Sequence, residues 1–369
     1  MVATAVSPGP ARMTRHWHPL ANGRVQCDLC PRGCALREGQ PGVCFVRRAQ
    51  NGAIVLAAYG RSSGFTIDPI EKKPLHHFLP GTPVLSFGTA GCNLACKFCQ
   101  NWDISASRSL DTLDQIAAPE QIAAAAARSN CRSVAFSYNE PAVFHEYAID
   151  VAQACHARGI KSVAITAGYQ QAAAREEFYQ HIDAANVDLK AFTNRFYAQV
   201  CGGQLQPVLE TIEYVHRQTK VWLEITTLLI PGENDSDEDL HAECGWMAEH
   251  LGTEVPLHFT AFHPAWRMRE KPATPARTLL RALRIAHEYK LHYVYTGNIR
   301  DIEGGTTYCP ACNAPLIVRN WYEIEQWQLT ADGHCRRCGT RCPGVFDGPP
   351  GTWGARCEPV RVDAEQVEG

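Results

Sequence analysis

Gly88 to Ser105 reads GTAGCNLACKFCQNWDIS, and the rest of the chain is best read outward from it. The stretch sets Cys92, Cys96 and Cys99 in a C-x3-C-x2-C pattern, directly after a short apolar run from Val84 to Gly88. A run of that length bounded by turn residues predicts a buried strand, so the cysteines occupy the loop leaving it. Thiols this close in sequence can all face one centre. Iron–sulfur cubanes normally take four cysteines, so three local ligands leave one iron open to an outside ligand. The alternative is a zinc site completed by a distant residue such as a histidine, because closed zinc sites take four ligands from Cys and His. The location favours the cluster: a structural zinc does not need a loop at the carboxyl edge of a βα sheet.

Six further apolar runs follow, near Ser133–Ser137, Ser162–Thr166, Asn186–Leu189, Val221–Leu229, Pro256–Phe262 and His292–Thr296. Helical patterns separate them. Pro119 reads as a first helical position before an Ala-rich run, Ser236 with Asp239 as a capping pair, and Thr274 as a cap before Pro275. Strand and helix alternate about six times, too few for a closed eight-stranded barrel. The expected fold is therefore α/β: a partial (β/α)6 TIM-like barrel or an open sheet, with ligands at the carboxyl ends of the strands.

Composition bounds the rest. A chain of 369 residues with 45% hydrophobic and 20% charged residues is ordinary for a globular protein and excludes wholesale disorder. A formal net charge of −3 offers no global attraction to nucleic acid or anionic lipid. No apolar run approaches the roughly 20 residues that span a bilayer, and the first residues lack the apolar core of a signal peptide. A cytoplasmic protein is expected.

Cysteine departs from the average, with 17 residues falling mostly into tight groups. Such grouping in a long chain without a secretion signal reads as metal or cluster ligation rather than disulfides. Cys309, Cys312, Cys335 and Cys338 form C-x2-C-x22-C-x2-C, a zinc-ribbon pattern for which a second iron–sulfur cluster competes. Cys342 lies just outside it. Cys27, Cys30, Cys34 and Cys44 form C-x2-C-x3-C-x9-C, which zinc and an auxiliary 4Fe-4S cluster both accept. Cys131, Cys155, Cys201, Cys244 and Cys357 read as small buried hydrophobes. The expected organisation is a flexible tail (1–20), a Cys-rich amino-terminal module (21–80), a core (81–304) and a zinc-ribbon-like module (305–369).

With these residues in view, the chain resembles the radical S-adenosylmethionine (SAM) superfamily, whose signature is C-x3-C-x2-C with an aromatic residue, here Phe98, before the last cysteine. DPIEKKPLHHFLPG, FSYNEP, VDLKAF, LIPGENDS, HFTAFHP and VYTGN resemble the branch holding the glycyl-radical (pyruvate formate-lyase) activating enzymes. Within that branch they look most like the AmmeMemoRadiSam system radical SAM enzymes, over about Cys27 to Phe346. The resemblance implies a 4Fe-4S cluster on Cys92, Cys96 and Cys99 whose open iron chelates SAM. It further implies reductive cleavage of SAM to methionine and a 5'-deoxyadenosyl radical, which removes hydrogen from a protein glycine or another substrate.

The resemblance also names SAM-binding candidates: Phe98, Asn139, Glu140, Thr166, Asp188, Lys190 and His263. Glu140 stands in FSYNEP where relatives carry Gly-Gly-Glu-Pro, with Tyr138 and Asn139 in place of the glycines. Ile165 occupies a position where some activases have a cation-binding aspartate, and an apolar side chain cannot ligate a hard cation. Because the auxiliary cluster of activase relatives often sits within the core, the amino-terminal quartet before it leans toward zinc. Implied partners are a low-potential donor such as flavodoxin or ferredoxin, a protein substrate, and AMMECR1-like or Memo-like proteins. Structural readings stand beside these: a solvated turn carboxylate for Glu140, a structural salt bridge for Asp188 and Lys190, and a satisfied structural histidine for His263. A wholly different class is a zinc-dependent binding protein without SAM chemistry.

Overall fold

The computed structural model describes residues 12–110, 113 and 115–362. Seven strands form a parallel sheet: β2 (Pro83–Phe87), β3 (Ser133–Phe136), β4 (Lys161–Thr166), β5 (Ala184–Asp188), β6 (Trp222–Leu229), β7 (Leu257–Ala261) and β8 (Val294–Gly297). They lie side by side in sequence order. Among the described residues the sheet does not close: β8 is one edge, as expected of a partial barrel.

The crossover helices are α1 (Pro119–Arg128), α2 (His145–His156), α3 (Ala172–Tyr179), α4 (Gln206–Gln218), α5 (Asp237–His250) and α6 (Ala276–Glu288). Pro119 opens α1 at a position whose missing N–H costs nothing. The Ser236 hydroxyl accepts from the Asp239 amide at 3.1 Å and caps α5. Thr274 does not cap α6. Its hydroxyl instead accepts from the Phe262 amide at 3.0 Å and donates to the Leu229 carbonyl, joining two strand-end loops. The core lies between the sheet and these helices, where Phe87, Phe136, Phe144 and Tyr147 stack edge to face or tilted.

The expected boundaries shift in three places. Residues 12–20 are not a tail: Arg12–Met13 pairs with Val55–Leu56, and Trp17–Pro19 with Val25–Cys27, because Thr14, His16 and the Arg15 carbonyl are bonded onto the body of the protein. Residues 1–11 lie outside the described residues. The strand β1 (Phe65–Pro69), expected in the amino-terminal module, runs antiparallel beside β2 and buries Phe65 and Ile67 in the main core. A further strand, β9 (Glu358–Val360), leaves the carboxyl-terminal module and pairs with β1, so the main sheet has nine strands among the described residues.

The segment after β1 ties the two ends of the molecule together. The buried Glu224 carboxylate on β6 accepts from the His76 and His77 amides at 2.9 and 2.7 Å and hydrogen bonds the His258 ring at 2.6 Å. Arg319 of the carboxyl-terminal hairpin donates to the His76 carbonyl. His77 bonds the Pro343 carbonyl and the Tyr295 hydroxyl. Both oxygens of Glu224 and both ring nitrogens of His77 thereby find partners, which makes the junction specific rather than merely greasy.

Candidate functional site

The loop after β2 is fixed mostly by its backbone. A Cβ on Gly88 would strike the Ser137 carbonyl and Asn139 Oδ1, so only glycine lets β2 pass this close to the turn after β3. Further along, the Ala95 and Lys97 amides donate to the Cys201 and Val200 carbonyls at 2.8 and 3.0 Å. The Arg267 amide donates to the Lys97 carbonyl at 3.0 Å. The result is a rigid cradle that presents Cys92, Cys96 and Cys99 to one cavity of about 300 Å3 at the carboxyl ends of the strands.

Phe98, Asn139, Glu140, Asp188 and Lys190 line the same cavity. Glu140 is 4% exposed, so the solvated-turn reading fails. Its Oε1 accepts from the Thr166 hydroxyl at 2.7 Å and the Ala142 amide at 3.1 Å, and its Oε2 from the Ala167 amide at 2.7 Å. Burial raises the carboxyl above its usual range, and these donors offset part of that. Thr166 thus acts on the cavity through Glu140.

Tyr138 and Asn139 behave differently from each other. Tyr138 takes φ +71, the left-handed conformation a glycine would favour, so the turn geometry survives the loss of glycine. Its ring covers Lys73 and its hydroxyl donates to Asp68 at 2.9 Å, which holds the strained backbone in place. Asn139 turns toward the cysteine loop, accepting from the Thr89 amide at 2.9 Å and donating to the Gly91 carbonyl at 2.7 Å. It shapes the cradle.

Asp188 and Lys190 pair at 2.6 Å. Burial alone would lower the ammonium, but Asp188 and the Cys96 sulfur more than offset it and keep Lys190 charged. Cys96 is raised first by its hydrogen bond with Cys201 and then by burial, while Cys92 and Cys99 are raised chiefly by burial. Three thiols that burial keeps protonated become ligands when a cationic centre compensates their charge. The donor set therefore fits a cluster with one open iron: among the described residues, three cysteine sulfurs and no fourth line the cavity. A zinc completed by histidine does not fit, since no described histidine lines it.

His263 is exposed and lies outside this lining, the one SAM-binding candidate the fold leaves apart from both the cavity and Glu140. Ile165 does line it. Sequence reasoning missed Lys72, Thr226, Thr260 and Asn298, which also line it. Thr226 and Thr260 lie on expected strands and Asn298 ends the VYTGN motif, so strand-end position was the available signal.

The four carboxyl-terminal cysteines converge: Cys309, Cys312, Cys335 and Cys338 all place their sulfurs within 4.8 Å of one another. Cys309 lies 3.5 Å from Cys338 and Cys312 lies 3.8 Å from Cys335. Hydrogen bonds from Thr340 pull the Cys338 thiol down to about 6. Cys342 stays outside as a buried thiol, 3.8 Å from His77 Nδ1. A groove of about 790 Å3 beside this module, lined by Arg277, Arg284 and His287, is larger than the thiol cavity but lies away from the strand ends that carry Glu140 and Lys190. His16, His145 and Glu177 also converge. There Arg15 takes the second carboxylate oxygen at 2.9 Å, as in an ion-pair network.

A three-cysteine loop, a strand-end carboxylate and an open parallel sheet are together the features of a radical SAM protein. Residues 87–244 match the Radical SAM superfamily. The chain is 38% identical over 331 residues to uncharacterized protein MJ0808 of Methanocaldococcus jannaschii, covering 89% of this chain and 98% of that protein. It is 28% identical over 156 residues to the pyruvate formate-lyase-activating enzyme of Clostridium pasteurianum, covering 41% of this chain and 63% of that enzyme. Against the benzylsuccinate synthase activating enzyme of Thauera aromatica, 28% identity over 138 residues covers 37% and 41%. This chain belongs to the radical SAM superfamily and is similar, over part of its length, to activating enzymes. The family uses a 4Fe-4S cluster and SAM, and no described helix is long and apolar enough to cross a membrane.

Proposed function

We propose that this chain is a radical SAM oxidoreductase of the AmmeMemoRadiSam type, with its cluster on Cys92, Cys96 and Cys99. The carrying observation is the single cavity lined by three thiols, a buried carboxylate and a half-buried ammonium paired with Asp188. The bound cluster and SAM supply one-electron cleavage of the sulfonium, yielding methionine and a 5'-deoxyadenosyl radical that takes hydrogen from the substrate.

The chain's own residues hold and orient. Glu140 Oε2 keeps a lone pair beyond the bond from Ala167, which suits the SAM amino group. Lys190 has N–H donors left beyond Asp188 for the SAM carboxylate, and Asp188 holds that ammonium in place. Phe98, packed on Phe196 at 5.8 Å, walls the cavity against water. Thr166 positions Glu140, and Asn139 positions the cysteine loop.

The activating-enzyme likeness supports a protein glycine as hydrogen donor, with flavodoxin or ferredoxin as reductant and AMMECR1-like or Memo-like proteins as associates. For the carboxyl-terminal quartet, sulfur separations of 3.5 and 3.8 Å support zinc, because Zn–S bonds of about 2.3 Å in a tetrahedron set sulfurs about 3.8 Å apart. Seventeen free cysteines suit a reducing cytosol. The test is 5'-deoxyadenosine formation from SAM by anaerobically reconstituted, dithionite-reduced protein. Wild type is expected to form it and Cys96→Ala to fall to background; formation by both would refute the assignment.

A further inference from the structure

We infer that Lys72 binds the substrate: its ammonium, on the wall of the cavity of Cys92, Cys96 and Cys99, grips a carboxylate of the molecule that gives up hydrogen. This assignment rests on the reading proposed above, to which it adds the chemical class of the substrate.

The backbone that carries Lys72 is fixed on both sides. Lys72 ends the short helical turn Ile70–Lys72, which follows β1. Before the turn, β1 is paired on both flanks, with β2 and with β9. After it, Pro74 lines the cavity while its carbonyl accepts from the Asn186 side-chain amide at 2.8 Å, and Glu224 holds the His76 and His77 amides. The stem of Lys72 therefore starts from a fixed point beside the cavity.

Charge counting sets Lys72 apart from an ordinary ion pair. The fully buried Asp68 carboxylate accepts from Lys72 Nζ at 2.8 Å, Lys73 Nζ at 2.7 Å and the Tyr138 hydroxyl at 2.9 Å. Lys73 alone neutralises it. Lys73 is itself buried under the Tyr138 ring, so the surplus positive charge surfaces at Lys72, whose side chain is 38% exposed and lines the cavity. Burial would lower the Lys72 ammonium, but its bond and charge contact with Asp68 more than offset that and keep it charged. Of its three N–H donors, one goes to Asp68 and one to the Cys357 sulfur at 3.3 Å, which leaves one for a ligand. Asp68 and Cys357 are thus positioning residues, and through Cys357 the carboxyl-terminal module reaches the cavity.

SAM does not account for this charge. The charged side chains among the described lining residues are Lys72, Glu140, Asp188 and Lys190. Glu140 suits the SAM amino group and Lys190, held by Asp188, its carboxylate, so Lys72 is the charge left over. One surplus charge with one remaining N–H matches a carboxylate, whereas a phosphate dianion asks for more donors and more charge. The opposite side of the cavity also awaits a polar ligand. Thr226 Oγ1, on β6 directly beside Asp188, is buried and meets no hydrogen-bond partner among the described residues. A buried hydroxyl left in that state costs free energy that a polar ligand in the cavity would recover.

The test is anaerobic titration calorimetry on the reconstituted, SAM-loaded, unreduced full chain. Malonate presents the carboxylate on a small molecule and the end-capped peptide Glu-Gly-Glu presents it on a protein segment; malonamide and inorganic phosphate are the controls. Saturable binding of malonate or of the peptide is expected, with the tighter of the two naming the source of the carboxylate. Lys72→Met is expected to weaken it about 10- to 100-fold, the range for one hydrogen bond between charged groups, and Lys72→Arg to keep most of it. SAM affinity is expected to stay within about 2-fold of wild type in both variants, as a merely structural role for Lys72 would not allow. Binding of neither carboxylate, equal binding of malonamide, preference for phosphate, or full retention in Lys72→Met overturns the assignment while SAM binding stands. Failure of wild type to bind SAM is a different result, which overturns the reading of the cavity and this assignment with it.

Discussion

The cavity of Cys92, Cys96 and Cys99 and the carboxyl-terminal quartet are built around the same residue type and differ in what surrounds the sulfurs. Around Cys309, Cys312, Cys335 and Cys338 the chain forms short antiparallel strands and turns that bring four thiols together, leaving no ligand position for anything else. Around Cys92, Cys96 and Cys99 the chain supplies only three thiols and spends its other groups, Glu140 and Lys190, on the remaining wall. Closed coordination serves structure and an incomplete set serves reaction, as with structural and catalytic metal sites generally. The most severe test of this contrast is Cys96→Ala, which abolishes 5'-deoxyadenosine formation if the incomplete set is the reactive one.

Next in size is a change that separates how the modules are held. Arg47 and Glu146 form a buried two-point pair, at 2.7 and 3.1 Å, between the amino-terminal module and α2. Burial would raise the Glu146 carboxyl, but Arg47 more than offsets it and holds it at about 2. Glu146→Gln leaves the guanidinium buried without its counter-charge and is expected to cost about 3–5 kcal/mol. Because the folded value is depressed below the usual 4.5, the pair's contribution is complete above that value and lost as pH falls toward 2. Melting curves of both proteins between pH 2 and 6 are expected to converge at the acid end. A constant gap would show that the ion pair is not the cause.

The closed quartet, by contrast, affects stability and metal content more than reaction. Cys309→Ser with Cys335→Ser is expected to remove about one zinc per chain and lower the apparent melting temperature by roughly 5–10 °C. Elemental analysis and calorimetry check it, and full retention of the metal would show that these sulfurs are not its ligands. Within the open site, Glu140→Gln removes a charge while keeping the shape. Weaker SAM binding by about 10- to 100-fold is expected, the range for one hydrogen bond to a charged group. Unchanged binding in equilibrium titration would return Glu140 to a purely structural role.

The same contrast explains what the sequence made legible. All seven parallel strands were readable because each is an apolar run and all but the last lead into a helical pattern, and the cysteine spacings announced the cysteine groups. β1 and β9 were not: each lies outside the run of alternating strands and helices, so no alternation marks it as part of the main sheet. The capping role of Thr274 failed for a related reason. A hydroxyl before a helix can serve either the helix or a neighbouring loop, and only tertiary contacts decide. Inward-facing Thr226 and Thr260 look in sequence like any β-branched strand residue. Asn139 and Thr166 were found, but their tasks, holding the cysteine loop and holding Glu140, depend on contacts that cross from one strand end to another.

His263 gives the smallest effect and the finest discrimination. It follows β7 in HFTAFHP, the kind of strand-end position that supplies ligands elsewhere in the fold, yet its side chain is exposed and outside the lining of the thiol cavity. The loop that carries it still reaches the cysteine cradle through the Arg267 amide and the Lys97 carbonyl. Substituting an exposed side chain away from buried features usually changes stability by no more than about 0.5 kcal/mol, so His263→Ala is expected to leave SAM binding and cleavage within about 2-fold of wild type. A loss of 10-fold or more in SAM affinity would mean that this loop closes over the cavity when SAM binds. The strand-end rule would then hold for His263 too, and burial in the absence of SAM would be the wrong guide to which residues line the site.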